Sequence, residues 1–282
     1  MDPKWRETEF DAWLDKTGAS LCTRKSYLSA LKYYRGYLQS YANRVSPGGM
    51  SCGAHLMYVQ GFKDYLIAGH RKANTINAML TALKAYYKFL GYGGHNIKFV
   101  PEQRSKGPEA LTANQLARFL WIVNRLDVRD RAIILTALHA GLTPVELHRL
   151  NQKDVTFFGK GVYVRVNQGG RNKRRQVRAG MTLWNALKPH YLEMLQSGQC
   201  SDEPDAPLWQ GKTGVRLGVR ALQSILTEIS YVLGFKVSFA HLRTTWLAGQ
   251  AKRSGATIRK LSAISGLKRE RTIVKYQKLA AI

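Results

Sequence analysis

Acidic residues are scarce in this chain. Across 282 residues there are 18 Asp and Glu against 44 Lys and Arg, a formal net charge of +26. A compact fold with that excess repels itself unless a polyanion shares the charge. Cysteine is sparse too: Cys22, Cys52 and Cys200 lie far apart, form no CxxC pair and are odd in number. That spacing argues against a disulfide framework or a zinc site and for a reducing compartment. Long apolar runs are missing; the longest, such as Ala132–Leu138, fall far short of a membrane span. The opening MDPKWRETEF lacks the apolar core of a secretory signal, so an intracellular, cytoplasmic protein is expected. There are no internal repeats and no low-complexity tracts.

What is present argues for packed domains. Apolar residues make up 45% of the chain, with six Trp, 14 Tyr and nine Phe, which a disordered basic tail would not carry. The basic excess runs through both halves: 14 basic against six acidic residues in 1–98, and 30 against 12 in 99–282. A solvated face explains one basic cluster, not an excess in both halves, so nucleic acid is the expected partner. No basic helix with a bulky apolar face supports a membrane surface instead.

Apolar spacing of three and four predicts helices over 8–17, 23–41, 53–69 and 74–90, with a Ser46-Pro47-Gly48-Gly49 turn between the second and third. The Tyr-rich stripes on these helices read as core. Arg71, Lys72, Lys84 and Lys88 fall on the outer side and are candidate DNA contacts. This gives a helical domain over 1–95. An aperiodic linker carrying Gly and Pro covers 96–109, and a second domain covers 110–282. In the second domain, Thr112 and Gln115 fit a capping box ahead of a helix, and 128–139 is a very apolar helix. Gly141–Leu147 turns back into a helix with Pro144 in its first turn. Residues 162–178 switch to period two and predict a hairpin with a basic, Gly-rich tip. Helices over 181–198 and 215–233 flank a loop at 200–214, and short helices broken at Gly234, Gly255 and Gly266 follow. The fold class is mainly α with a small β-hairpin or sheet.

The order of these parts is specific. A basic helical domain and a linker precede Ala140-Gly-Leu-Thr-Pro-Val-Glu-Leu-His-Arg-Leu150, the basic hairpin, a His241-Leu-Arg243 segment, and Ile258 through Tyr276. With Arg129-Asp-Arg-Ala-Ile-Ile-Leu135, these segments resemble the tyrosine recombinases of the phage integrase family over nearly the whole chain. The resemblance implies a SAM-like core-binding domain followed by a catalytic domain. It implies that Tyr276 attacks a DNA phosphate to form a 3′-phosphotyrosine, with arginines stabilising the phosphate charge and no metal or cofactor required. By the same resemblance Arg243 is the second arginine, and Lys173 on the hairpin protonates the leaving 5′ oxygen. Arg171, Arg174, Arg175 and Arg178 become phosphate contacts. A clamp on double-stranded DNA, a homo-dimer on one site, a tetramer in the synapse, accessory DNA-bending proteins and a nucleoid-associated location follow as expectations.

Three positions depart from the family pattern. Thr143 stands where the first arginine is expected, and a threonine makes no bidentate phosphate contact. Ala240 stands at a histidine position, with His241 one residue off as a substitute candidate. Leu267 stands at a later histidine or tryptophan position. Arg149, six residues beyond Thr143, lies about 240° around a helix and faces away. Glu146 reads as support for the turn and His139 as a core or capping histidine. The rival reading is a lapsed enzyme kept as an accessory or regulatory DNA-binding factor.

Overall fold

The computed structural model describes residues 5–41, 52–92, 97–101, 109–167, 174–201, 203, 205–211, 213–253, 256–267 and 270–280. The chain divides into two compact units, Met1–Ser105 and Lys106–Ile282.

Among its described residues the first unit is helical: α1 (Glu7–Lys16), α2 (Leu21–Tyr41), α3 (Cys52–Ala68) and α4 (Ala73–Phe89). The aromatic stripes are its core, with Trp5, Phe10, Tyr34, Phe62 and Tyr86 fully buried. A buried phenol needs a partner. Tyr34 and Tyr87 hydroxyls share a 2.9 Å hydrogen bond, and the Tyr86 hydroxyl donates to the Trp5 carbonyl at 2.9 Å. Arg24 on α2 grips Asp11 of α1 through Nε at 2.7 Å and Nη2 at 2.5 Å, tying the two helices. Residues 97–101 lie with this unit, because Asn77 exchanges two 2.9 Å hydrogen bonds with the backbone of Val100.

The second unit packs helices around a three-stranded antiparallel sheet. The predicted capping box forms: Thr112 N–H donates to Gln115 Oε1 at 3.0 Å and Gln115 N–H to Thr112 Oγ1 at 3.3 Å, opening α5 (Ala113–Val123). Asp127 caps α6 (Val128–Ala140), whose residues Ala132–Leu138 are all buried. Gly141 ends α6 at φ +61, where a Cβ would stand 2.1 Å from Trp246 Cε3, so conformation and space both demand glycine. The five-residue α7 (Pro144–His148) follows, then β1 (Val155–Phe158), β2 (Gly161–Val166) and β3 (Arg175–Ala179) in the order β1-β2-β3.

The predicted hairpin is β2–β3, with Val164 opposite Val177 and Val166 opposite Arg175. β1 is an addition to it, a four-residue strand too short to announce itself by alternation. The chain continues through α8 (Met181–Gln196), α9 (Val219–Leu233), α10 (Phe239–Ala251), α11 (Ile258–Ser265) and α12 (Glu270–Ala280). α9 starts four residues later than its periodicity predicts. Arg216, just before it, is strapped to the carbonyls of His148, Leu150 and Asp205 and to Asn151 Oδ1. Gly234 and Gly266 terminate α9 and α11 in the left-handed region, as the sequence predicts; Gly255 lies outside the described residues.

Candidate active site

The site is organised by a buried carboxylate. Glu146 is the third residue of α7 and is 4% exposed. Thr143 caps that helix: its N–H donates to Glu146 Oε2 at 2.8 Å, and its Oγ1 accepts the Glu146 N–H at 3.3 Å. Glu146 therefore does support the turn, and it does more. Its Oε1 accepts from Arg175 Nη1 at 2.6 Å, and its Oε2 lies 3.4 Å from Arg243 Nη1. Burial works against the Glu146 charge. The Arg175 hydrogen bond and charge, the Thr143 N–H and the Arg243 charge outweigh it and hold the carboxyl below the usual carboxylate range.

Arg243 comes from the middle of α10. Its Nη1 donates to the Gly141 carbonyl at the end of α6, and its Nη2 to the Ser265 carbonyl at the end of α11 at 2.6 Å. Two helix ends and the Glu146 carboxylate thus fix one guanidinium. Burial pulls Arg243 below its ordinary value, with Glu146 opposing, the Arg175 charge adding to it, and Tyr276 opposing as well.

Tyr276 rides on α12. Ile273, three residues earlier and so on the same helix face, is buried, and Tyr276 is half-buried against the core of the unit. The turn that ends α11 is locked: Ser262 Oγ donates to the Leu267 carbonyl at 2.7 Å, and Leu267 N–H to Ser265 Oγ at 3.2 Å. Leu267, at a departure position, is a half-buried packing residue.

Two candidates sit differently from the sequence expectation. His241 Nδ1 faces the cap of its own helix, 3.2 Å from both the N–H and Oγ of Ser238. Two residues separate it from Arg243, about 200° around α10, so the histidine turns away from the arginine cluster. Ala240, three residues before Arg243, holds the matching face, and its methyl offers no proton chemistry. The second difference is Arg175. It is not a solvated cation on the hairpin tip: strand alternation turns it inward with Val177 and Ala179, and its side chain is 2% exposed. The Arg175–Glu146 pair is the main feature that sequence reasoning missed. The period-two pattern of β3 was the available signal for it.

The other basic candidates are exposed: Arg174 and Arg178 on the second unit, Arg71, Lys72, Lys84 and Lys88 on the first. The Arg178 guanidinium lies 5.9 Å from the Tyr163 ring centre. Arg149 is exposed. Arg171 and Lys173 lie outside the described residues. Among the described residues no group of His, Cys, Asp and Glu is arranged to hold a metal ion, and no helix is long and apolar enough to cross a membrane.

A mainly helical basic protein with a tyrosine on its last helix, packed beside an arginine–carboxylate cluster, defines a class. The sequence matches the phage integrase family over residues 109–281, and the chain belongs to that family. Among curated relatives it is similar to the tyrosine recombinase XerC of Syntrophus aciditrophicus, at 26% identity over 95% of this chain and 91% of that protein. Its fold is similar to that of the XerH site-specific recombinase bound to a palindromic difH substrate (TM-score 0.71, 16% identity, 96% of this chain and 81% of that one). A lambda integrase tetramer bound to a Holliday junction is similar as well (TM-score 0.72, 13% identity, 99% and 77%).

Proposed function

We propose that this chain is a site-specific DNA recombinase that cuts and rejoins double-stranded DNA through Tyr276. The observation that carries the reading is Arg243, fixed by Gly141, Ser265 and Glu146, with the Tyr276 helix packed on the helix that bears it. In the first step Tyr276 Oη gives up its proton to solvent and attacks the scissile phosphorus. A phosphotyrosine bond forms, the bond to the 5′ oxygen breaks, and that oxygen leaves as a hydroxyl after gaining a proton. In the second step a 5′-hydroxyl from the partner strand attacks the phosphotyrosine and releases Tyr276. One phosphodiester is exchanged for another, so the reaction balances without an external energy source.

Arg243 stabilises the charge that builds on the non-bridging oxygens, and Lys173 is the proposed proton donor to the 5′ oxygen. The exposed Arg71, Lys72, Lys84, Lys88, Arg174 and Arg178, with Arg171, are the proposed phosphate contacts. Their contribution is affinity, since phosphate contacts position a protein without reading sequence. A homo-dimer on one site and a tetramer in the synapse are part of the proposal, supported by the likeness in fold to a lambda integrase dimer on a core site and a tetramer on a Holliday junction, with the nucleoid as the place of action. The lapsed-enzyme reading is not favoured: what supports activity is that Arg243 keeps a carboxylate partner in Glu146 and that α12, which carries Tyr276, packs on α10.

A nicked suicide duplex, carrying a site selected by the wild-type chain from random DNA, tests the reading. The wild-type chain accumulates a denaturation-resistant protein–DNA complex, and Tyr276→Phe accumulates none. Specific binding with no covalent complex on any selected site would overturn it.

A further inference from the structure

Thr143 leaves the site one arginine short. Its hydroxyl and N–H are both engaged with Glu146, so nothing at that position reaches a phosphate. The carboxylate that caps Thr143 nevertheless holds a second arginine, Arg175, from a strand 29 residues away in sequence.

Arg175 is incompletely satisfied. Nη1 is bonded to Glu146, while Nε and Nη2 are buried and have no hydrogen-bond partner among the described residues. Burying a guanidinium in that state is costly, and the large majority of buried side-chain polar atoms have a hydrogen-bond partner. Arg216 in this same unit shows the contrast, with Nη1 and Nη2 shared among four acceptors. The two idle groups are also a matched pair. Nε–H and one Nη2–H point the same way, forming the edge that grips two oxygens of a carboxylate or phosphate. Arg24 uses that edge on Asp11, at 2.7 and 2.5 Å.

The surroundings hold this edge in place. Gly266 lies against the guanidinium, where a Cβ would stand 3.2 Å from Nη1, and the same turn supplies the Ser265 carbonyl that fixes Arg243. Arg175 lines an open cleft with Arg174, Gln176, Thr257, Ser262 and Gly266. The two guanidinium groups flank a single carboxylate, one on each oxygen.

We propose that Arg175 takes the place of the arginine absent at Thr143: held by Glu146 through Nη1, it grips the non-bridging oxygens of the scissile phosphate through Nε–H and Nη2–H. Arg175 and Arg243 then share the charge that develops as Tyr276 attacks. This rests on the recombinase reading, and the two fail separately. A wild-type chain that forms no covalent complex overturns the recombinase reading; a cleaving wild type that is indifferent to Arg175 overturns only this one.

Single-turnover cleavage of the nicked duplex by the full chain is the test. Arg175→Lys keeps a cation for Glu146 and removes the two-pronged edge. It lowers the cleavage rate about 10²–10³-fold while duplex affinity changes less than about tenfold. A methylphosphonate at the scissile position removes one oxygen charge, and there the gap between wild type and Arg175→Lys shrinks to under about tenfold. Adding Thr143→Arg to Arg175→Lys recovers at least about tenfold of the rate on the phosphate duplex. Should Arg175→Lys fail to fold, Arg175→Gln, which leaves Glu146 to Arg243, takes its place with the same two duplex readings. Cleavage by the variant within about threefold of wild type overturns the proposal. So does an equal loss on the phosphate and methylphosphonate duplexes, which is the mark of a merely structural role.

Discussion

Thr143 and Glu146 cap one another across the first turn of α7, with Thr143 N–H on Glu146 Oε2 at 2.8 Å and Glu146 N–H on Thr143 Oγ1 at 3.3 Å. A position that departs from the family pattern is therefore not idle. It trades a phosphate contact for a helix cap that aims the carboxylate. Thr143→Ala removes the side-chain half of the cap and costs about 1 kcal/mol of stability, while Thr143→Ser stays within about 0.5 kcal/mol of wild type. Urea denaturation of the two variants checks the pair. Equal stability of Thr143→Ala and wild type would remove the cap from the account.

Glu146 is the residue on which both arginines depend. Glu146→Ala leaves two buried guanidinium groups without their shared anion and costs about 3–5 kcal/mol. The same carboxylate gives stability a pH dependence. Its folded pKa is depressed, so its contribution is present above the ordinary glutamate value of about 4.3 and is lost as pH falls through the lower folded value. Denaturation midpoints measured from pH 7 down to pH 3 show a shallower acid limb for Glu146→Gln than for wild type. Parallel limbs would contradict the pairing.

Gly141 joins the core to the site, because its carbonyl holds Arg243 and its missing Cβ makes room for Trp246. Gly141→Ala meets both a φ of +61 and a ring 2.1 Å away, and it destabilises the chain by at least about 2 kcal/mol. Trp246→Leu in the same chain relieves the clash but not the strain, so the double variant loses less than the sum of the singles. Additive losses would show that the two positions do not meet.

Much of this architecture is legible in the sequence. The spacing of Leu31, Tyr34 and Leu38 gives α2 its buried face, the Thr112–Gln115 box marks the start of α5, and Gly234 and Gly266 mark helix ends. These are local signals, set by residues a turn or two apart. What resists reading is contact between distant segments. Nothing near Glu146 announces Arg175, 29 residues on, or the Ser265 carbonyl that Arg243 reaches across 22 residues. Composition groups Arg175 with its basic neighbours. Alternation along β3, which sets Arg175 with Val177 and Ala179, separates it from them. His241 shows the converse, since a residue one place off a motif on a helix lies on another face.

Lys84 and Lys88, both exposed on α4, test whether the helical unit shares in DNA binding. Each lysine that neutralises a phosphate contributes about 0.9 to the slope of log affinity against log salt concentration. Lys84→Ala with Lys88→Ala lowers the slope by about 2 and weakens binding about equally on specific and random duplexes. An unchanged slope would place both side chains away from the phosphates.

The central claim is that Tyr276 is the nucleophile, and the most direct measurement is to find the DNA on it. Trap the wild-type chain on a nicked suicide duplex, digest protein and DNA, and identify the peptide that carries the residual nucleotide by mass spectrometry. The account predicts a single adduct on Tyr276, joined through a 3′-phosphate and absent from Tyr276→Phe. An adduct on any other residue, or one that persists in Tyr276→Phe, would contradict it.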